Sequence, residues 1–246
     1  MTSSQDGAHL DGPHVRLLIA DLRAGDPRFH GWKPEIEVNW GLTEDALDLL
    51  VDLVSPGDHT LETGVGYSTV VFAARGARHT VVSPFAFEHE RVAGWCAERG
   101  VDLGHVTFVA EPSQEALPRL EPGPLDLLLI DGDHAFPTPF IDFYYGAQRL
   151  RTGGLLMLDD THVRSCAVID EFLKADTPRW RLHTTMWTTN VYERLDGPLL
   201  PIEGGWAAQP WGATTLRNGT PMSVMQRTRA RVRLRTRLGR GGAPTS

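Results

Sequence analysis

Short apolar runs alternate with helix-length segments through the middle of the chain. The runs are His59–Glu62, His79–Ser83, Val106–Ala110, Leu125–Ile130 and Leu155–Leu158, each bounded by Gly, Pro or acidic residues. Between them lie Ser68–Arg75, Glu88–Arg99, Glu115–Leu120 and Thr138–Leu150. Strand and helix in this alternation predict a parallel sheet with helices on both faces. The runs LDLLLI and GLLML are apolar almost throughout, as strands buried on both sides require. Upstream, His14–Ala24 and Thr43–Val54 have helical spacing. Thr43 can cap the second of these, Glu44 and Asp45 suit its positive end, and Ser55-Pro56-Gly57 ends it. Downstream, Ser165–Ala175 reads as a helix. Trp180–Met186 and Asn190–Leu195 read as an antiparallel hairpin at the sheet edge. Residues 197–222 are rich in Gly, Pro and Trp and show no period.

Composition narrows the class. The chain has 246 residues, 41% of them hydrophobic, as in an ordinary folded domain. No stretch approaches 18 apolar residues, so no membrane-spanning helix is expected. The start, MTSSQDGAHLDGPH, lacks the basic-then-apolar layout of a signal peptide, and the expected compartment is the cytoplasm. Two cysteines in unrelated contexts, Cys96 and Cys166, make neither a disulfide framework nor a cysteine zinc site. The net charge of −7 is uneven. Residues 223–246 hold seven Arg and no acid, which leaves −14 on the rest. An acidic body does not attract nucleic acid. The Arg-dense terminus reads as a solvated, disordered arm.

Three segments carry chemistry. The first is Leu61-Glu62-Thr63-Gly64-Val65-Gly66-Tyr67-Ser68, where the first strand should turn into a helix. Its glycines allow a sharp bend and a close approach to a ligand, and the helix presents free N–H groups to an anion. Glu62, read as aimed into this crevice, suits a ligand with an ammonium group. The second segment ends a buried strand in Asp131-Gly132-Asp133-His134. The third ends the next strand in Asp159-Asp160-Thr161-His162. A right-handed crossover makes these strands parallel neighbours, so Asp131, Asp159 and Asp160 should converge. Three carboxylates repel one another unless something positive lies between them. Such an all-oxygen set favours Mg²⁺, Mn²⁺ or Ca²⁺ over zinc.

The glycine loop, IDGDH and LDD, in this order and spacing, resemble class I S-adenosylmethionine-dependent methyltransferases of the small bacterial O-methyltransferase kind. The likeness covers about residues 35–195. It implies a doubly wound α/β fold: a mostly parallel seven-stranded sheet in the order 3-2-1-4-5-7-6, strand 7 antiparallel, with helices on both faces. It further implies that Glu62, Gly64 and Gly66 hold the methionine end of S-adenosylmethionine in a loop closing at Ser68. Ser113 and Gln114 would approach the adenine. Asp131, also counted among the cofactor-binding positions, matches with Asp159 and Asp160 the metal ligands of catechol-type and macrolide-sugar-type enzymes. His134 falls where catechol-type enzymes have a lysine base, and Asp133 where some sugar and coumarin enzymes use an aspartate. The family usually ends its second strand in an acid that grips the ribose. Ser83 stands there in this chain, so either Ser83 makes a weaker contact or Glu88 reaches in from the next helix.

The organisation that follows is a leader and helix over 1–34, a methyltransferase domain over 35–196, an extension over 197–222 and the basic arm over 223–246. The expected reaction is metal-assisted methylation of a hydroxyl on a small molecule, sugar or natural product. Trp32, Trp40, Trp187, Trp206 and Trp211 are candidates for a substrate wall. No membrane or nucleic-acid partner is expected, and a homo-oligomer stays open. The alternative is a non-catalytic methyltransferase-fold partner in a biosynthetic assembly. The carboxylate set argues against it, since an idle site has no need of three mutually repelling acids. A nicotinamide dehydrogenase is disfavoured, because the loop lacks the third Gly of GxGxxG.

Overall fold

The computed structural model describes residues 9–199, 209–217 and 220–223. Helices α1 (Gly12–Gly25) and α2 (Glu44–Leu53) precede the alternating region. There β1 (His59–Thr63), α3 (Tyr67–Ala74), β2 (Arg78–Val82), α4 (Ala86–Glu98), β3 (Val106–Val109) and α5 (Ser113–Ala116) follow in turn. Next come β4 (Leu125–Ile130), α6 (Thr138–Ala147), β5 (Leu150–Leu158) and α7 (Arg164–Ala175). The hairpin β6 (Trp180–Thr185) and β7 (Asn190–Arg194) completes the main sheet. Its seven strands run β3-β2-β1-β4-β5-β7-β6, the order expected. All pairs are parallel except those made by β7, which runs against both β5 and β6. No helix among the described residues is long and apolar enough to cross a membrane.

The sheet is buried on both faces, for the reason LDLLLI gave. Leu127 and Leu129 of β4 face one core, with Val70, Phe72, Val92 and Trp95 from α3 and α4. Leu128 and Ile130 face the other, with Leu117, Ile169 and Leu173 from around α5 and from α7. Val15, Ile19 and Leu22 of α1 belong to the first core, so the helix preceding residue 35 packs with the sheet. Thr43 caps α2 as its sequence indicates, accepting a hydrogen bond from Ala46 N–H.

Two boundaries differ from the sequence reading. Strand β5 begins at Leu150, because it runs through Gly153-Gly154 rather than starting after it. Residues 197–222, which show no period, include a short helix α8 (Pro210–Ala213) and a hairpin, β8 (Thr214–Arg217) with β9 (Thr220–Ser223). The basic stretch beyond Ser223, like Trp206, lies outside the described residues.

Candidate active site

A cavity of about 720 Å³ opens at the C-terminal ends of β1, β2 and β4. Sheet order reverses between β1 and β4, and in open α/β sheets that is where ligands bind. Its size is that of a small-molecule site. Gly64, Ser83, Glu88, Ser113, Asp131 and Asp160 all line it.

The glycine loop is built against the end of β4. Gly64 has φ +98°, and a Cβ on it would lie 2.3 Å from the Asp131 carbonyl oxygen. Only glycine meets both demands. Glu62 departs from the expectation: it is 1% exposed, and the cavity lining does not include it. Strand alternation turns its side chain toward α3, opposite to Leu61 and Thr63. There it accepts hydrogen bonds from Ser68 (2.7 Å) and Thr69. His79 Nε2 lies 3.1 Å from its Oε1. Glu62 and Ser68 thus tie the start of α3 to β1 from beneath, outside the cavity lining.

A different acid occupies the end of β2. Glu88, from the first turn of α4, is buried and accepts hydrogen bonds from the Ser83 hydroxyl and from Gly31 N–H, both at 3.0 Å. The residue standing in the acid's usual place therefore holds an acid delivered from the next helix. The second bond draws in the connector between α1 and α2. His30 of that connector donates through Nε2 to the Val65 carbonyl (2.6 Å) and accepts at Nδ1 from Trp40 N–H (3.1 Å). Burial lowers the His30 pKa, consistent with the neutral ring these bonds require. Arg91 clamps the connector from α4, donating to the carbonyls of Phe29, His30, Pro34 and Ile36.

At the other end of the cavity Asp131, His134 and Asp160 come together, with one ligand atom from each within 4.8 Å. His134 Nε2 is 2.5 Å from Asp160 Oδ2, and its Nδ1 is 3.6 Å from the buried Cys166 Sγ. Burial by itself would lower the His134 pKa, but the bonds to Asp160 and Cys166 raise it to about 10. His134 also holds Asp160 below the ordinary carboxylate range. Desolvation and the nearby Asp159 push Asp131 well above it. Asp159, expected as the third ligand, is not in this group. Its Oδ1 accepts from the hydroxyls of Thr189 and Thr188, before β7. The two neighbours part because Asp160 has a left-handed backbone, φ +50°, which sends its carboxylate toward His134.

The remaining candidates divide. Asp133 lines the cavity but accepts from Ala135 N–H (3.0 Å) and the Thr138 hydroxyl (3.2 Å), which makes it a cap for the turn into α6. Gln114 lines the cavity beside Ser113. Trp40 lines it too, and stacks on Trp32 at 6.1 Å. Trp187 is 92% exposed. Trp211 packs edge-on against Phe172, and neither belongs to the lining. Asp142 and Thr63, which sequence reading passed over, line the cavity as well. One signal was available: Asp142 is a lone acid in the apolar segment PFIDFYY.

Residues 61–161, from β1 to just past β5, match the family described as "Methyltransferase domain". A curated relative, catechol O-methyltransferase of Mycobacterium tuberculosis (strain ATCC 25618 / H37Rv), is 29% identical over 153 residues, covering 59% of this chain and 67% of its own. Among solved structures, the O-methyltransferase NovP aligns with a TM-score of 0.59 and 16% identity, over 76% of this chain and 100% of its own. Cofactor-bound Rv0187 from MTB aligns at 0.54 and 19%, over 78% and 93%. At these identities the two structures speak to the fold alone. Together with the family match, they bear out the resemblance to class I S-adenosylmethionine-dependent methyltransferases.

Proposed function

From a methyltransferase fold whose family match, residues 61–161, takes in all of the cavity lining but His30 and Trp40, we propose an S-adenosylmethionine-dependent O-methyltransferase acting on a hydroxyl of a small molecule. The observation that carries this reading is the donor set of the cavity. Glu88, steadied by Ser83, offers a carboxylate suited to a vicinal diol. Asp131 and the carbonyls of the glycine loop suit an ammonium group, the part first given to Glu62. Ser113 and Gln114 suit a nucleobase edge. These are the polar parts of S-adenosylmethionine, which when bound supplies an electrophilic methyl on a sulfonium. The chain's own contribution to rate is positioning and the exclusion of water.

Asp131 and Asp160, with Asp159 beside them, would hold a divalent cation, whose chemistry when bound is to polarise an acceptor oxygen. The oxygen donors of these carboxylates suit Mg²⁺ or Mn²⁺ alike. His134 supplies the compensating charge as an imidazolium in the present arrangement. Were Asp160 to turn to a bound cation, His134 would give up its extra proton to solvent, and the neutral ring would then be the residue placed to take the acceptor's proton. Asp133, already used as a cap, is the weaker candidate for that role. The named activities of the catechol O-methyltransferase relative and of NovP favour oxygen as the atom methylated.

Calorimetry with S-adenosylhomocysteine, followed by methyl transfer to catechol and sugar hydroxyls, tests the reading. Wild-type protein should bind, and Glu88→Gln should bind at least about tenfold more weakly, since a hydrogen bond to a charged group contributes about 1.5–3 kcal/mol. Absence of binding to wild-type protein refutes the cofactor. Binding without transfer to any hydroxyl acceptor favours the non-catalytic partner.

A further inference from the structure

The aromatic side chains around the cavity mouth have no work in that scheme. Among the described residues nine large apolar side chains are exposed. Five of them, Trp32, Trp40, Phe85, Phe136 and Trp187, belong to segments that reach the cavity: the α1–α2 connector, the loops after β2 and β4, and the β6–β7 turn. The other four are scattered over α1, α6, β6 and α8. Single exposed apolar residues are ordinary, but a concentration of them about a cleft marks a binding surface. Trp40 and Phe85 are part of the lining itself. Phe136 follows His134 and Ala135, both in the lining, and is 79% exposed. Trp187 precedes Thr188, whose carbonyl accepts from the N–H and the hydroxyl of Thr161, both at 2.8 Å, one residue from Asp160. Phe136 and Trp187 are thus carried by two of the segments that build the acidic end, and stand just outside the lining.

The size of the cavity limits what fits inside. At about 720 Å³ it suits one drug-sized ligand, and S-adenosylmethionine, a nucleoside joined to an amino acid, is already of that size. An acceptor can place little more than its reacting ring beside the cofactor, and a larger scaffold must project through the mouth. There the exposed indole and phenyl groups offer apolar surface, which a scaffold of the same character would cover. Charge narrows the class. The lining holds no Lys or Arg, while Glu88, Asp131, Asp133 and Asp160 belong to it. His134 is already paired with Asp160, so an anionic acceptor would find no free basic side chain in the lining.

We propose that Phe136 and Trp187, continuing the wall that Trp40 begins, form an outer subsite for the scaffold of an uncharged acceptor whose apolar part is larger than the ring bearing the hydroxyl. The proposal rests on the methyltransferase reading above and narrows its small-molecule acceptor to an extended apolar compound.

The test uses protein loaded with S-adenosylhomocysteine and Mg²⁺, and three probes: catechol, caffeate and phenethyl caffeate, the last an uncharged catechol with a second ring. By calorimetry, wild-type protein should bind phenethyl caffeate at least about tenfold more tightly than catechol, since covering the second ring removes apolar surface from water. Caffeate should bind no more tightly than catechol. The double substitution Phe136→Ser, Trp187→Ser should bring phenethyl caffeate within about threefold of catechol, with thermal unfolding at the wild-type temperature because both side chains are exposed. Trp187→Ser alone should move the ratio in the same direction. Equal binding of catechol and phenethyl caffeate by wild-type protein overturns the inference. So does tighter binding of caffeate than of catechol, or an advantage of the phenethyl ester that the double variant keeps. A wild-type dimer that the double variant splits into monomers on sedimentation also overturns it, because the rim is then a subunit interface. If S-adenosylhomocysteine binds but none of the three probes does, the inference falls and the cofactor reading stands. If S-adenosylhomocysteine does not bind, the methyltransferase reading itself has failed and the inference falls with it.

Discussion

Glu62 and Glu88 are both buried glutamates beside the glycine loop, and their surroundings give them different roles. Glu62 receives two hydroxyl hydrogen bonds and faces a histidine beneath α3, outside the cavity lining. Glu88 receives one hydroxyl and one backbone N–H, and its carboxylate lines the cavity. A carboxylate has about four acceptor positions, so Glu88 keeps capacity for a ligand. Glu62→Ala should therefore act on stability, leaving Ser68, Thr69 and His79 without their shared partner. The expected loss is about 3 kcal/mol, which for a chain of this size lowers Tm by roughly 6–12 °C. Thermal unfolding of ligand-free protein measures it. An unchanged Tm with a large loss of cofactor affinity would return Glu62 to the binding role.

At the scale of elements, the connector between α1 and α2 is held by few groups of high value. One guanidinium, Arg91, satisfies four of its carbonyls, and a glutamate and a loop carbonyl take Gly31 N–H and the His30 ring. Its apolar anchors are Phe29 and Leu42, buried in the first core at either end, whereas Trp32 and Trp40 between them are more than half exposed. A segment held this way opens locally at a free energy well below that of global unfolding. Arg91→Met should speed limited proteolysis within residues 27–42 by roughly tenfold or more while the sheet stays protected. Bound S-adenosylhomocysteine should slow that cleavage in wild-type protein, because a ligand held by Glu88 would be coupled to the connector through Gly31. Cleavage at an unchanged rate in the variant would show that the aromatic stack, not Arg91, holds the connector.

For the whole molecule, the acidic end of the cavity is assembled from four places: the β4 end, the loop before α6, the β5 end and the turn before β7. Asp131 and Asp160 would supply ligands to the proposed cation, His134 pairs with Asp160, and Thr188 and Thr189 hold Asp159 aside. Chelator treatment should abolish methyl transfer and spare S-adenosylhomocysteine binding. Added Mn²⁺ or Mg²⁺ should restore transfer in wild-type protein, and in Asp160→Asn it should not. Full turnover by chelator-treated protein would leave the His134–Asp160 pair to act as base without a cation.

The sequence by itself determined the sheet and the region of the site. Alternating apolar runs and helix-length segments are local signals, and the continuous LDLLLI can be satisfied only by a strand covered on both faces. The motif residues of the loop, IDGDH and LDD follow strand ends, so topology alone carries Gly64, Asp131 and Asp160 to one mouth. Side-chain direction was not legible at that level. Whether Glu62 faced the ligand depended on which side of β1 receives α3. Whether Asp159 or Asp160 met His134 depended on a left-handed residue that sequence does not announce. That Ser83 holds Glu88 at the cavity was decided by a hydrogen bond into the first turn of α4. Asp142 joined the cavity lining only once α6 had packed against β4 and α5. Apart from the local Ser83–Glu88 bond and the Asp160 backbone, these depend on contacts between residues far apart in the chain, which exist only once the sheet has closed its two cores.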